Sequence, residues 1–166
     1  MGEVMGHSIL FLYLLIAPCI LTSAAAIPDF SGTWLRDVES SDAMATLIGD
    51  EITPVSADLV IKHEDGRIDI ETRWTHKAPT AKTYILNDAE NNLYDDQGNP
   101  ITYVTSWDGQ KLIIDEKIEA NTPFGYTEII QRSEWSLSDD GATLTILQMS
   151  NGPTGSSADR KQVYHR

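Results

Sequence analysis

Asp65-Gly66-Arg67-Ile68-Asp69-Ile70-Glu71-Thr72-Arg73-Trp74 is the stretch whose reading decides the fold. Its Asp-Gly pair is a hairpin-turn signal. The residues after it alternate: Ile68, Ile70, Thr72 and Trp74 fall on one side, Arg67, Asp69, Glu71 and Arg73 on the other. Side chains of a strand point to opposite faces in turn, so the first set faces a core and the second faces water. The pattern returns twice. Asp108-Gly109 leads to Leu112 and Ile114, and Asp140-Gly141 leads to Leu144 and Ile146. Three such turns, each feeding an alternating strand, describe a meander of antiparallel hairpins.

Working outward, strands are predicted over 33–38, 59–63, 67–74, 82–87, 101–107, 112–118, 126–137, 143–149 and 161–165. A short helix is predicted after the first of them. Ser40-Ser41-Asp42 offers an N-cap, Met44, Leu47 and Ile48 follow at helical spacing, and Gly49 can end the turn. It would cap one end of the molecule. Residues 87–100 and 151–159 read as polar loops. The acids of 87–100 invite a calcium reading, but an EF-hand loop begun at Asp88 needs Gly at its sixth position and has Leu93 there. The expected fold is all-β. Eight to nine strands closing into an antiparallel up-and-down barrel would leave no exposed edges. A two-sheet sandwich is the alternative.

The chain has 166 residues, room for one domain with a modest core. Residues 8–22 are almost wholly apolar, and Ser23-Ala24-Ala25-Ala26 supplies small residues for cleavage. Residues 1–26 therefore read as a secretory leader and 27–166 as the barrel domain, which implies a secreted or periplasmic protein. Contact with a membrane is expected only through the leader, if it stays uncleaved. Cys19 is the single cysteine and lies in the leader, so the mature chain has no disulfide, thiolate ligand or thiol nucleophile. The net charge is −13, and removing the leader removes only Glu3 among the charged side chains. Such a surface repels nucleic acid and anionic lipid, and neither is an expected partner.

Two further residues are assigned to structure. In Asp29-Phe30-Ser31-Gly32-Thr33-Trp34, Gly32 allows a close backbone approach and Trp34 is large enough to plug a barrel end. Gly32-Thr33-Trp34 resembles the Gly-x-Trp opening of lipocalins and fatty-acid-binding proteins. The order of Gly32-Thr33-Trp34, Ser106-Trp107-Asp108-Gly109, Trp135-Ser136-Leu137-Ser138-Asp139-Asp140-Gly141 and Val163-Tyr164-x-Arg resembles small secreted lipocalin-like proteins of bacteria. The resemblance spans the whole mature chain. It implies a calycin-type barrel with a central cavity, and no reaction. There are departures. Asp37 stands where the lipocalin signature has an apolar residue or Thr, and Gln162 stands where the carboxylate-gripping Arg-x-Tyr of fatty-acid-binding proteins has Arg.

Signals of catalysis are poor. There is no Gly-x-Ser-x-Gly elbow and no phosphate-cradling glycine loop. His63, His76 and His165 are widely spaced, and no metal or cofactor is expected. Asp115 and Glu116 are neighbours in a strand, so they point to opposite faces and cannot form a carboxylate pair. The aromatics say more. Trp74, Tyr84, Tyr103 and Trp107 fall on inward faces, and Ile129, Gln131, Ser133 and Trp135 share a mixed face. The expected function is extracytoplasmic binding of a small apolar or amphipathic molecule. Trp74, Tyr84, Tyr103, Trp107 and Ile129 would supply apolar walls and Gln131 a polar handle. The alternative is a filled barrel that serves as a non-catalytic interaction module for a protein partner. An enzyme would need ionisable groups converging inside, which the alternation does not show.

Overall fold

The computed structural model describes residues 26–48, 51–122, 125–151 and 157–166. The expected leader up to Ala25, with Cys19, lies outside the described residues. The described chain forms twelve strands: β1 (Gly32–Arg36), β2 (Ala45–Ile48), β3 (Glu51–Pro54), β4 (Ala57–Glu64), β5 (Arg67–Trp74), β6 (Thr80–Ile85), β7 (Glu90–Tyr94), β8 (Pro100–Asp108), β9 (Lys111–Thr122), β10 (Gly125–Leu137), β11 (Thr143–Asn151) and β12 (Ser157–His165). Ten of them make one antiparallel sheet in the order β6-β5-β4-β1-β12-β11-β10-β9-β8-β7. The chain-distant pair β1 and β12 lie side by side, with Leu35 opposite His165. That pairing curls the meander into a barrel.

The Asp-Gly turns do what the sequence requires. Glu64 pairs with Arg67 and Asp108 with Lys111, leaving two residues in each loop. Gly66 takes φ 76°, a conformation that costs an L side chain about 1 kcal/mol or more. The alternation of β5 is kept: Ile68 and Ile70 are buried while Arg67 and Arg73 are exposed.

Two expectations are corrected. The barrel has ten strands, not eight or nine, because residues 87–100 hold β7. Leu93 alone carries that strand's apolar signal, and it packs against the core. The carboxylate of Asp95 takes the backbone N–H of Gln97 and of Asn99, so this acid shapes the turn into β8. The capping helix does not form either. No helix occurs among the described residues, and β2 pairs with β3 as a separate two-stranded hairpin. Thr46, Ile48, Ile52 and Thr53 are β-branched and favour a strand over a helix. The hairpin is anchored at its base. Val55 N–H donates to the Met44 carbonyl at 3.0 Å, and the inward Arg36 guanidinium donates to the carbonyls of Val55 at 3.1 Å and Asp42 at 2.5 Å.

The barrel does not close by backbone pairing. β6 and β7 end the sheet order at opposite edges. Side chains of β8 stitch the seam instead. Ile85 N–H donates to the Tyr103 hydroxyl oxygen at 3.0 Å, and the Thr105 hydroxyl donates to the Ile85 carbonyl at 2.9 Å.

One end is packed solid. Trp34 is fully buried, its indole N–H donates to the Phe30 carbonyl at 2.9 Å, and the Arg166 guanidinium lies 4.6 Å from its ring centre. Gly32 takes φ 146°, and a Cβ there would stand 3.4 Å from Arg166 Nε. The glycine thus leaves room for the Arg166 side chain beside Trp34. Phe30, Leu112 and Leu144, also fully buried, complete this packed end.

Candidate ligand-binding cavity

Beyond the plug the barrel is hollow. A cavity of about 570 Å³ lies among the inward faces of β4, β5, β6, β9, β10, β11 and β12. That volume falls inside the range of small-molecule sites, about 300–1,000 Å³. Leu59, Ile70, Ile114, Trp135, Ile146 and Tyr164 give apolar walls. Exposed Lys77, Pro79 and Asp96 also border it, which places its mouth between the β5–β6 and β7–β8 loops. The Lys77 ammonium meets the Asp96 carboxylate at 2.6 Å across that mouth. Both side chains are well exposed, so the pair contributes about 0–1 kcal/mol and does not lock the entrance.

The polar centre is Glu116. Its side chain is 2% exposed, on an inward position of β9 between Leu112, Ile114 and Ile118. Three donors reach it. The Tyr84 hydroxyl donates to Oε1 at 2.7 Å, Gln131 Nε2 donates to Oε2 at 2.7 Å, and Lys82 Nζ stands 3.3 Å from Oε1. Strand register makes this possible. Gln131 lies directly opposite Glu116 in the β9–β10 ladder, while Lys82 and Tyr84 are two apart on β6 and share its inner face. A buried carboxylate costs several kcal/mol unless it is paired and hydrogen-bonded, and here it is both. Burial, the charge of Glu116 and the hydrogen bond to it push the Tyr84 hydroxyl well above the usual phenol value. Tyr84 therefore remains a donor throughout the ordinary pH range. Burial also pushes the Tyr164 hydroxyl up to about 12, against the pull of Arg36. That hydroxyl donates to Gln162 Oε1 at 2.6 Å.

The six residues expected to contact a ligand divide. Trp74, Tyr84 and Gln131 line the cavity. Trp74 sits near the mouth, held by its indole N–H to Thr80 Oγ1 at 2.9 Å. Tyr103 does not line it. It is 2% exposed, packed edge-on against Tyr84 with ring centres 5.1 Å apart, and serves the seam. Trp107 belongs to the packed end, stacked on Phe30 at 6.2 Å beside a smaller cleft that includes His63. Ile129 is half-buried and inward on β10 but lies outside the cavity wall. A strand's alternation says which face a side chain takes and nothing about its height along the barrel axis. Height separates Trp107 and Ile129 from the cavity, while Tyr103 lies level with Glu116 and Gln131 but is turned into the seam against Tyr84.

Glu116 and Lys82 were missed as site residues, and the expectation that no ionisable groups converge inside is overturned. The signal was present. Glu116 shares its parity with Leu112, Ile114 and Ile118, and a charge on an apolar face is the informative exception. Asp115, its neighbour, points outward and pairs with Arg132 at 3.2 Å, as the alternation required. Among the described residues, no three His, Cys, Asp or Glu side chains come together in a way that could hold a metal ion.

No protein-family model matches the chain, and no curated protein matches its sequence. Solved structures do match. The fatty acid transporter REP1-NXSQ superposes with a TM-score of 0.54 at 14% identity, covering 82% of this chain and 94% of its own. The zebrafish ileal bile acid-binding protein in complex with cholic acid superposes with a TM-score of 0.53 at 14% identity, covering 82% of this chain and 98% of its own. At that identity the likeness shows the fold alone, a near-closed antiparallel β-barrel.

Proposed function

We propose that the protein is an extracytoplasmic carrier that holds one small apolar or amphipathic molecule inside its barrel. The observation that carries this reading is the cavity of about 570 Å³, walled by Leu59, Ile70, Trp135 and Ile146 and reached from solvent. A filled interaction module would have packed this space, because empty volume in a core forfeits dispersion contacts. The structural neighbours support the same reading, one being a fatty acid transporter and the other a bile acid-binding protein. The apolar run at 8–22 supports a location outside the cytoplasm.

The experiment is titration of the folded protein with Nile red, a neutral apolar dye that brightens when it leaves water. One equivalent should bind. Ser133 faces the cavity from β10 and is 8% exposed, so Ser133→Trp should fill the space and abolish the signal without unfolding the barrel. A dye signal equal in both proteins would place the dye elsewhere and end the carrier reading.

A further inference from the structure

Building on the carrier reading, we propose that the cavity selects an uncharged ligand head bearing a hydroxyl group, and rejects both carboxylates and amines. The charged groups that line the cavity are already engaged, Asp95 by the N–H groups of Gln97 and Asn99 and the others by one another. Lys82 and Glu116 form a pair at 3.3 Å, and at the rim Lys77 is engaged by Asp96 at 2.6 Å. Arg36, another inward cation, is tied to the carbonyls of Val55 and Asp42 and does not line the cavity. On β12 the polar groups that line the cavity, Gln162 and Tyr164, are neutral, the Tyr164 hydroxyl being turned to Gln162. Arg160, on the same face, is exposed beyond Gln162 and does not line it.

A ligand carboxylate entering this space meets Glu116 with no spare cation. A ligand ammonium placed against Glu116 meets Lys82. Glu116 is only 2% exposed, so a like charge placed against it is repelled far more strongly than in bulk solvent; Lys82, 36% exposed, repels an amine more weakly. A hydroxyl escapes both penalties and finds both partners it needs. An ionised carboxylate offers about four acceptor positions. Glu116 has three donors on it, two at Oε1 and one at Oε2, so Oε2 can accept one more proton donor. The Lys82 ammonium has three N–H groups, and its contacts with Glu116 and with Tyr84 Oη at 3.5 Å leave one to donate to the ligand oxygen. The hydroxyl would thus give to Glu116 and take from Lys82, while its apolar body lies along Ile70, Trp135 and Ile146.

Displacement of Nile red by 1-dodecanol, dodecanoate and dodecylamine near neutral pH tests this. The three share one chain and differ only in the head. In the wild type, 1-dodecanol should displace the dye at a concentration at least about tenfold lower than either charged compound. Glu116→Gln removes the negative charge and leaves Lys82 free, so dodecanoate should gain about tenfold or more. Lys82→Met should move dodecylamine the same way. Thermal melts of both variants establish that they are folded, and two gains of affinity, each for a different charged compound, cannot arise from general damage. Dodecanoate equal to or tighter than 1-dodecanol in the wild type, or the same ranking in all three proteins, overturns the inference and leaves the carrier reading standing. Failure of the wild type to bind the dye and all three compounds ends both.

Discussion

Trp34 closes one end of the barrel, and Glu116, buried within the hollow, gives it its polarity. Trp34 is fully buried under Arg166 and held through its indole N–H, so truncation removes a large ring, a cation–π contact and a hydrogen bond together. Trp34→Ala should cost about 3–5 kcal/mol, the usual range for a buried aromatic. Domains of this size have about 5–15 kcal/mol of stability, so the variant should be at most marginally folded. Denaturant melts measure it, and an unchanged midpoint would mean that the plug does not hold the barrel. Glu116→Gln perturbs the hollow end and not the plug. It replaces one of the two acceptor oxygens by an NH2 donor, which Gln131 can meet by turning its own amide oxygen towards it, so the effect should be read in ligand preference more than in stability.

At the scale of elements, the seam between β6 and β7 makes a distinct prediction. Tyr103 supplies the acceptor for Ile85 N–H, and its ring is 2% exposed beside Tyr84. Tyr103→Phe should cost about 0.5–1.5 kcal/mol, the net worth of one hydrogen bond, because Ile85 is exposed and its N–H can turn to water, and Tyr103→Ala about 3–5. Both should keep dye affinity near that of the wild type, because Tyr103 does not line the cavity. Affinity lost in Tyr103→Phe at unchanged stability would make it a ligand contact after all. The same element shows how far the sequence could be read. The strands after the three Asp-Gly turns were legible because turn chemistry and alternation agree there, and β5 was legible from Arg67 to Trp74 without error. β7 was not, because Glu90, Asn91 and Asn92 carry no strand signal and only its pairing with β8 orders them. The β2–β3 hairpin was not, because Met44, Leu47 and Ile48 fit a helix turn as well as a short strand. In the cavity, Trp74, Tyr84 and Gln131 were legible from alternation. The Lys82–Glu116 pair depended on strands 34 residues apart coming face to face, which one sequence does not disclose.

For the whole molecule, acid is the condition that tests its surface. The hydroxyl and amide of Ser40, with help from His165, hold the half-buried Asp37 carboxyl at about 2, against an ordinary value of 3.8. The Ser138 hydroxyl and the Ala142 amide likewise hold Asp140 low. The folded values are depressed, so the unfolded chain takes up these protons first as pH falls. Their contribution is complete above about pH 4 and, for Asp37, is lost between there and about pH 2. Lowering pH also relieves the repulsion of a chain of net charge −13, so a wild-type melt alone mixes two opposite trends. Subtracting the melts of Asp37→Asn separates them. The wild type should be the more stable above pH 4, with the gap closing towards pH 2. A gap that widens on acidification would contradict the assignment.

The central claim is that a ligand lies inside the barrel, at its hollow end. Amide nuclear magnetic resonance, recorded while the protein is titrated with Nile red, tests it most directly. The account predicts saturable shifts at one equivalent, centred on Ile70, Tyr84, Glu116, Gln131 and Ile146, with Trp34 and Leu112 at the packed end undisturbed. Shifts centred on the exposed outer-face residues Ile130, Leu147 and Met149, or no shifts while the dye brightens, would contradict it.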